Sequence, residues 1–231
     1  MIDSVVLFFK EGGLFLYLIF LVWIFGIVIG IERFLYLNKV GNGNKHLWNT
    51  VRPLFESGQY VEASKVIKDS SAAIAEVLKY GLSRLSTARH RDDVEKAMEE
   101  SLIEVIPDIE RRTPFISSLA NIVMLMGLFG TVTGLIRAFA AVGNANASEK
   151  ASMLSISISE AMNNTASGLI AAITLLLIHM YIEAKTTNIV DSLEVATVKF
   201  LNTLTEVRLQ DKNLFQKIDL QPTVDTATTN S

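Results

Sequence analysis

The stretch Ile158–Ile182, ISEAMNNTASGLIAAITLLLIHMYI, decides how this chain is read. Its last two thirds are apolar enough for the interior of a bilayer. Its first third carries Glu160, Asn163, Asn164 and Thr165. A helix crossing a membrane needs about 20 predominantly apolar residues, and polar groups placed inside one are expensive. Two further stretches have the same character. Leu14–Ile31 holds no charge, and Ile116–Val142 holds one, Arg137. In Ile156–Ile182 the one charge is Glu160. Half of the 231 residues are hydrophobic and the mean hydropathy is +0.36, too apolar for an ordinary soluble domain of this length.

These stretches predict an all-α membrane protein with three transmembrane helices. Basic residues give the orientation. Thirteen Lys and Arg lie between the first and second stretches, only Lys10 precedes the first, and only Lys150 separates the second from the third. The positive-inside rule then puts the N-terminus outside and the C-terminus in the cytoplasm. The expected organisation follows. An amphipathic periplasmic segment covers 1–13, the first span 14–32, and a cytoplasmic helical domain 33–113. The second span covers 114–142, a periplasmic loop 143–154 and the third span 155–182. A cytoplasmic helix over 183–220 and a disordered tail over 221–231 complete the chain. Long helices are expected to extend from the spans into the cytoplasmic domain. "VGNGN" after the first span reads as a turn. The helix capped by Asp92 is expected to run toward the second span, interrupted only by Pro107 and Pro114.

Several function classes are excluded. There is no cysteine, and the three histidines have no metal-ligand spacing, so no metal or cofactor is expected. No nucleophile–base pair is visible, which argues against an enzyme. A net charge of -3 gives no reason to expect nucleic acid.

The second and third spans carry the candidate site. Folded as a hairpin about Ser148, they place Thr131 and Thr165 at one depth, each 17 residues from the turn. Arg137 and Glu160 share a second level, roughly 7–9 Å nearer the outer face at 1.5 Å per residue. Helical spacing puts Glu160, Ala161, Asn164, Thr165, Gly168 and Ala172 on one side of the third span. Ala120, Gly127, Thr131, Gly134 and Ala138 share a side of the second. Gly127, Gly134, Ala161, Gly168 and Ala172 form a helix-packing face that lets backbones approach closely. Small-residue stripes usually mean packing alone, and a membrane threonine often bonds only to the carbonyl one turn back. Glu160 is harder to explain so. It needs a partner, water or a pathway, and Arg137 is the one opposite charge at its depth, as a gating or structural pair. Glu160, Asn164 and Thr165 together on one small-residue face favour a wet path walled also by Thr131.

These residues resemble the ExbB/TolQ/MotA family, the ion-conducting subunits of bacterial rotary stators. GLFGTVTGLIRAF (Gly127–Phe139) is similar to its GLLGTVxGxxxxF signature. ISEAMNNTASGLIAAI (Ile158–Ile173) is similar to IAEALxATAxGLxAAI, and GIERFLYL (Gly30–Leu37) to its V-x-E-R exit from the first span. By position, Thr131 and Thr165 match the family's pore threonines and Glu160 its third-span glutamate. Three spans rather than four favour the ExbB/TolQ branch, which serves TonB-type uptake, Tol-type constriction or gliding in the bacterial inner membrane. The resemblance implies a homopentamer around a dimer of a single-span ExbD/TolR-like protein with a membrane aspartate, and a TonB/TolA-like force transducer. The coupling ion is expected to be H+, with Na+ as the alternative because Asn163 and Asn164 bring amide oxygens. This chain departs from the pattern at Met124, where the family often has proline, at Arg137, and at the two asparagines. The rival reading is a non-conducting membrane scaffold, in which the stripe only sets helix register. A substrate transporter ranks last, because one three-span chain lacks the usual paired repeats.

Overall fold

A computed structural model describes residues 13–85, 88, 90–144 and 149–219. The expectations for the N-terminal amphipathic segment up to residue 12, for 145–148 of the outer loop and for the tail from residue 220 lie outside the described residues. Six helices are described: α1 (Gly13–Glu56), α2 (Tyr60–Lys68), α3 (Ala73–Leu85), α4 (Arg91–Glu110), α5 (Thr113–Asn144) and α6 (Lys150–Asp219). Three helical stretches are long and apolar enough to cross a membrane, lying in α1, in the α4–α5 segment and in α6. The fold is therefore all-helical with three candidate spans.

Two compact units divide the chain, and α1 and α6 contribute to both. The first takes the chain up to Asn38 and Ile109–Asn188. Its buried residues are small or aliphatic: Leu16, Ile19, Ala120, Val123, Ala161, Ala171, Ala172 and Leu175. Its outward residues are also apolar. Leu21, Phe25, Val28, Leu125, Leu128, Ile170, Ile173 and Leu177 are all exposed. A surface of that kind belongs in lipid, where these side chains meet hydrocarbon.

At one end of this unit Arg33 is only 3% exposed. Its Nη2 donates to the carbonyl of Ile109, in the last turn of α4. Its guanidinium carbon lies 4.8 Å from the Tyr36 ring centroid. A cation there complements the carbonyl end of the α4 dipole. Burial lowers the Arg33 pKa, and Glu32 and Tyr36 act against that. Glu32 itself pairs with Arg112 at 3.2 Å. Lys185 donates to Asn38 Oδ1, with its Nζ 4.6 Å from the Phe34 ring centroid.

The second unit takes Lys39–Asp108 and the chain from Ile189. Phe55 and Phe200 meet edge to face with centroids 4.7 Å apart, among buried Leu47, Val51, Leu78 and Met98. Asn44 is buried and its Oδ1 accepts the backbone N–H of Ile74 at 3.1 Å, satisfying one free donor in the first turn of α3.

Two local expectations are corrected. Gly41 and Gly43 form no turn; both lie inside α1. Packing overrides their poor helix propensity. A Cβ on Gly41 would sit 3.5 Å from Ile189 Cδ1, and the neighbouring Asn44 is tied to α3. The helix expected to be capped by Asp92 starts one residue earlier, at Arg91, with Asp93 Oδ2 accepting the backbone N–H of His90 at 3.1 Å, and it does not continue smoothly into the second span. It stops at Glu110, a turn covers Arg111–Arg112, and Arg112 takes φ 68°. Pro114 explains the break. It cannot donate to the carbonyl of Glu110, so the hydrogen-bond ladder of α4 cannot run on through it. Pro107, by contrast, is accommodated within α4.

Candidate ion-path site

The site lies where α5 and α6 cross. A Cβ built on Gly168 would stand 2.8 Å from Gly127 Cα and 3.0 Å from the Val123 carbonyl oxygen. A Cβ on Gly127 would stand 3.0 Å from both Gly168 Cα and the Asn164 carbonyl oxygen. Only glycine allows this approach, because the atoms in the way are backbone. Two turns along, a Cβ on Gly134 would meet Ala161 Cβ at 2.9 Å. Ala138, Ala161 and Ala172 are buried.

The crossing brings Thr131 and Thr165 together. Their hydroxyls share a hydrogen bond. Each also reaches the Gly127 carbonyl at 3.2 Å, and Thr131 lies 3.5 Å from the Ala161 carbonyl. Two hydroxyl protons thus have more acceptors than they can fill. The oxygens keep spare lone pairs, which can take a proton donor or a cation. Both threonines are half-buried.

Asn164 stands beside them, 2% exposed. A Cβ on Gly130 would lie 2.9 Å from Asn164 Cβ, so the amide is held against a glycine notch. Its Oδ1 is buried without a hydrogen-bond partner. A buried, unpaired amide oxygen normally costs about 1–3 kcal/mol, so this one needs explaining. Ser167 adds a third hydroxyl nearby on α6, donating to the Asn163 carbonyl at 2.7 Å.

Glu160 is half-buried and its carboxylate packs on the backbone of Gly13, at the start of α1. Arg137 is exposed. Among the described residues no ion pair joins Arg137 to Glu160, so the structure brings the threonines together but does not join these two charges to each other. The sequence reading missed Gly13 and Gly130. No periodicity could have found Gly13, since its contact depends on where α1 begins. Gly130 had a signal: it lies four residues before Gly134 and three after Gly127. No group of three or more His, Cys, Asp or Glu among the described residues could hold a metal.

A helical protein with three apolar stretches long enough to span a bilayer, and a hydroxyl and amide stripe at the crossing of two of them, is a polytopic membrane protein built for close helix packing around polar groups. The chain belongs to the MotA/TolQ/ExbB proton channel family, whose model matches residues 69–195, more than half of its length. It is similar to the putative biopolymer transport protein ExbB homolog of Methanothermobacter thermautotrophicus, 30% identical over 191 residues, covering 80% of this chain and 65% of that one. It is also 38% identical over 78 residues to the Tol-Pal system protein TolQ of Haemophilus influenzae, 34% of each chain. The matches thus span less than two thirds of those relatives' own lengths. These relatives point to the ExbB/TolQ-like branch, and membership sets the chain among channel proteins rather than enzymes.

Proposed function

We propose that the chain is an ion-conducting subunit of an ExbB/TolQ-like motor in the inner membrane, with its N-terminus outside and its C-terminus in the cytoplasm. The observation that carries this reading is the Thr131–Thr165 hydroxyl pair at a glycine crossing, with spare lone pairs and an unpaired Asn164 oxygen beside it. A wall of that kind presents oxygen to a proton-bearing group while glycine keeps it free of bulk. The chain has no aspartate in its apolar stretches, so the acid that titrates belongs to another chain. In the proposed assembly five copies surround two copies of a single-span ExbD/TolR-like protein. A proton passes Glu160 and reaches the partner's aspartate beside Thr131 and Thr165. Neutralised, the aspartate moves through the apolar stretch; released to the cytoplasmic side, the proton leaves it charged again. Cycling delivers work to a TonB- or TolA-like transducer or a gliding machinery.

Sodium is the second reading, favoured by Asn164. Its unpaired Oδ1, two hydroxyls and the Gly127 carbonyl are the oxygen ligands a hard cation prefers. The test is ion flux into vesicles carrying the complex purified with its partner from its own cells. Wild type is expected to acidify the lumen under an imposed gradient with sodium absent. Thr165→Ala and Thr131→Ala are expected to lower flux at least tenfold with the assembly mass unchanged. Equal flux in wild type and both variants would overturn the channel in favour of a scaffold. Flux only when sodium is present would establish the second reading.

A further inference from the structure

We infer that Glu160 and Arg137 pair between subunits, so that each copy of this chain completes the charge site of the next; the inference rests on the homo-oligomer proposed above. The argument begins with charge. In the three apolar stretches, 14–31, 116–142 and 156–182, Arg137 and Glu160 are the only Asp, Glu, Lys or Arg. Glu160 lies four residues inside the apolar stretch that starts at Ile156, about 6 Å at 1.5 Å per residue. In hydrocarbon a carboxylate needs a cation, water or a set of donors. Among the described residues it meets the backbone of Gly13, which brings no charge, and it makes no ion pair.

Arg137 presents the complementary problem. It lies seven residues before the end of α5 at Asn144, about 10 Å, and its side chain is exposed with no ion pair among the described residues. The two residues lie at one level, 11 and 12 positions from Ser148. Among its described residues a single copy therefore holds one unpaired acid and one unpaired base at about equal depth, on different helices. In a closed ring every interface is the same head-to-tail contact, so the Arg137 of each copy faces the Glu160 of the next and no charge is left over. A ring interface also removes the exposed guanidinium from lipid. The occupant of this surface is thus a second copy of the same chain.

The absence of cysteine from the chain makes the test clean. Two differently tagged full-length copies, one Arg137→Cys and the other Glu160→Cys, are co-expressed with the partner proteins in native membranes. The membranes are treated with a flexible bifunctional thiol reagent. An Arg–Glu pair holds Cα atoms beyond the ~7 Å that a direct disulfide bridges, which is why a longer reagent is used. The expected product is a dimer carrying both tags, at least tenfold above either variant alone. A chain bearing both cysteines should give a ladder ending at the closed ring. A link formed only within one chain, a link from Arg137→Cys to a smaller protein, or no dimer at all would overturn the inference. A second measurement guards against variants that fail to assemble. Arg137→Glu and Glu160→Arg singly should lose the oligomer in native mass spectrometry, and the two together should restore it. Loss in both singles without restoration would also overturn it. Ion flux of the wild type separates this inference from the proposed function. Cross-linking without flux removes the channel and leaves the pairing, whereas flux without cross-linking removes only the pairing.

Discussion

Helix α6 meets its two neighbours in the span unit by opposite uses of glycine. Against α5, backbone meets backbone: Gly127 and Gly168 face each other, with the threonine hydroxyls next to them. Against α1, side chains fill glycine notches. A Cβ on Gly26 would stand 2.7 Å from Leu175 Cδ2, and one on Gly30 would stand 2.7 Å from Ile178 Cγ2. The first contact has no slack, because neither backbone can step aside. The second can adjust by turning a side chain. The chain thus keeps its fixed geometry where its polar atoms are, and its adjustable, apolar packing on the opposite contact.

Breaking the fixed contact should have the largest effect. Gly168→Leu drives a side chain into the backbone of Gly127 and Val123. Overpacking of this kind typically costs about 1–3 kcal/mol and more where nothing yields. Loss of the native oligomer on gel filtration in mild detergent is the expected outcome. An intact oligomer of unchanged thermal stability would mean that the two helices do not cross at these glycines.

The α1 contact should respond less and in a repairable way. Gly26→Ala presses on the flexible end of Leu175, at about 1 kcal/mol. Leu175→Ala alone leaves a cavity and costs about 2–5 kcal/mol. Together they should cost less than the sum, by at least about 0.5 kcal/mol in a double-mutant cycle of thermal unfolding. Strict additivity would show that Leu175 does not occupy the notch.

Thr165→Ala sharpens the comparison further. It deletes the hydroxyl's contacts with Thr131 and the Gly127 carbonyl, hydrogen bonds worth about 0.6 kcal/mol each on average in a membrane. Stability should therefore barely change while flux falls at least tenfold. A stability loss as large as that of Gly168→Leu would assign the hydroxyl a packing role.

The two contacts also differ in how far the sequence discloses them. The α5–α6 stripe repeats at helical spacing, and equal counts from Ser148 assign Thr131 and Thr165 one level, so the meeting of those residues could be read in advance. The α1–α6 contact has no such pattern, since Leu175 and Ile178 look like any lipid-facing aliphatic until their glycine notches are seen. Gly41 misled because its helical packing against Ile189 joins residues far apart in the chain. The break at Arg111–Arg112 was hidden because two prolines lie near it, and only Pro114 stops the helix. Glu160 could be recognised as anomalous for its span, but its contact with Gly13 depends on the start of another helix.

Asn164→Leu should have the smallest effect on stability and the most informative effect on function. Leucine has the branched shape of asparagine with two bulkier methyl groups in place of the amide oxygen and nitrogen, and the amide oxygen it removes has no partner. Deleting a buried acceptor that bonds to nothing relieves a desolvation penalty, so thermal stability should stay level or rise by up to about 1 kcal/mol. The tight notch at Gly130 opposes that gain, since added bulk must fit against a backbone that leaves room for little. If the oxygen serves only helix register, flux is expected to follow stability and remain unchanged. If it serves the passing ion, flux falls although the fold is no weaker. A chain that becomes more stable and less conductive would identify Asn164 as a residue kept for ion passage at the expense of packing. The sodium dependence of whatever flux remains would then tell whether its oxygen discriminates between ions or simply keeps the path polar.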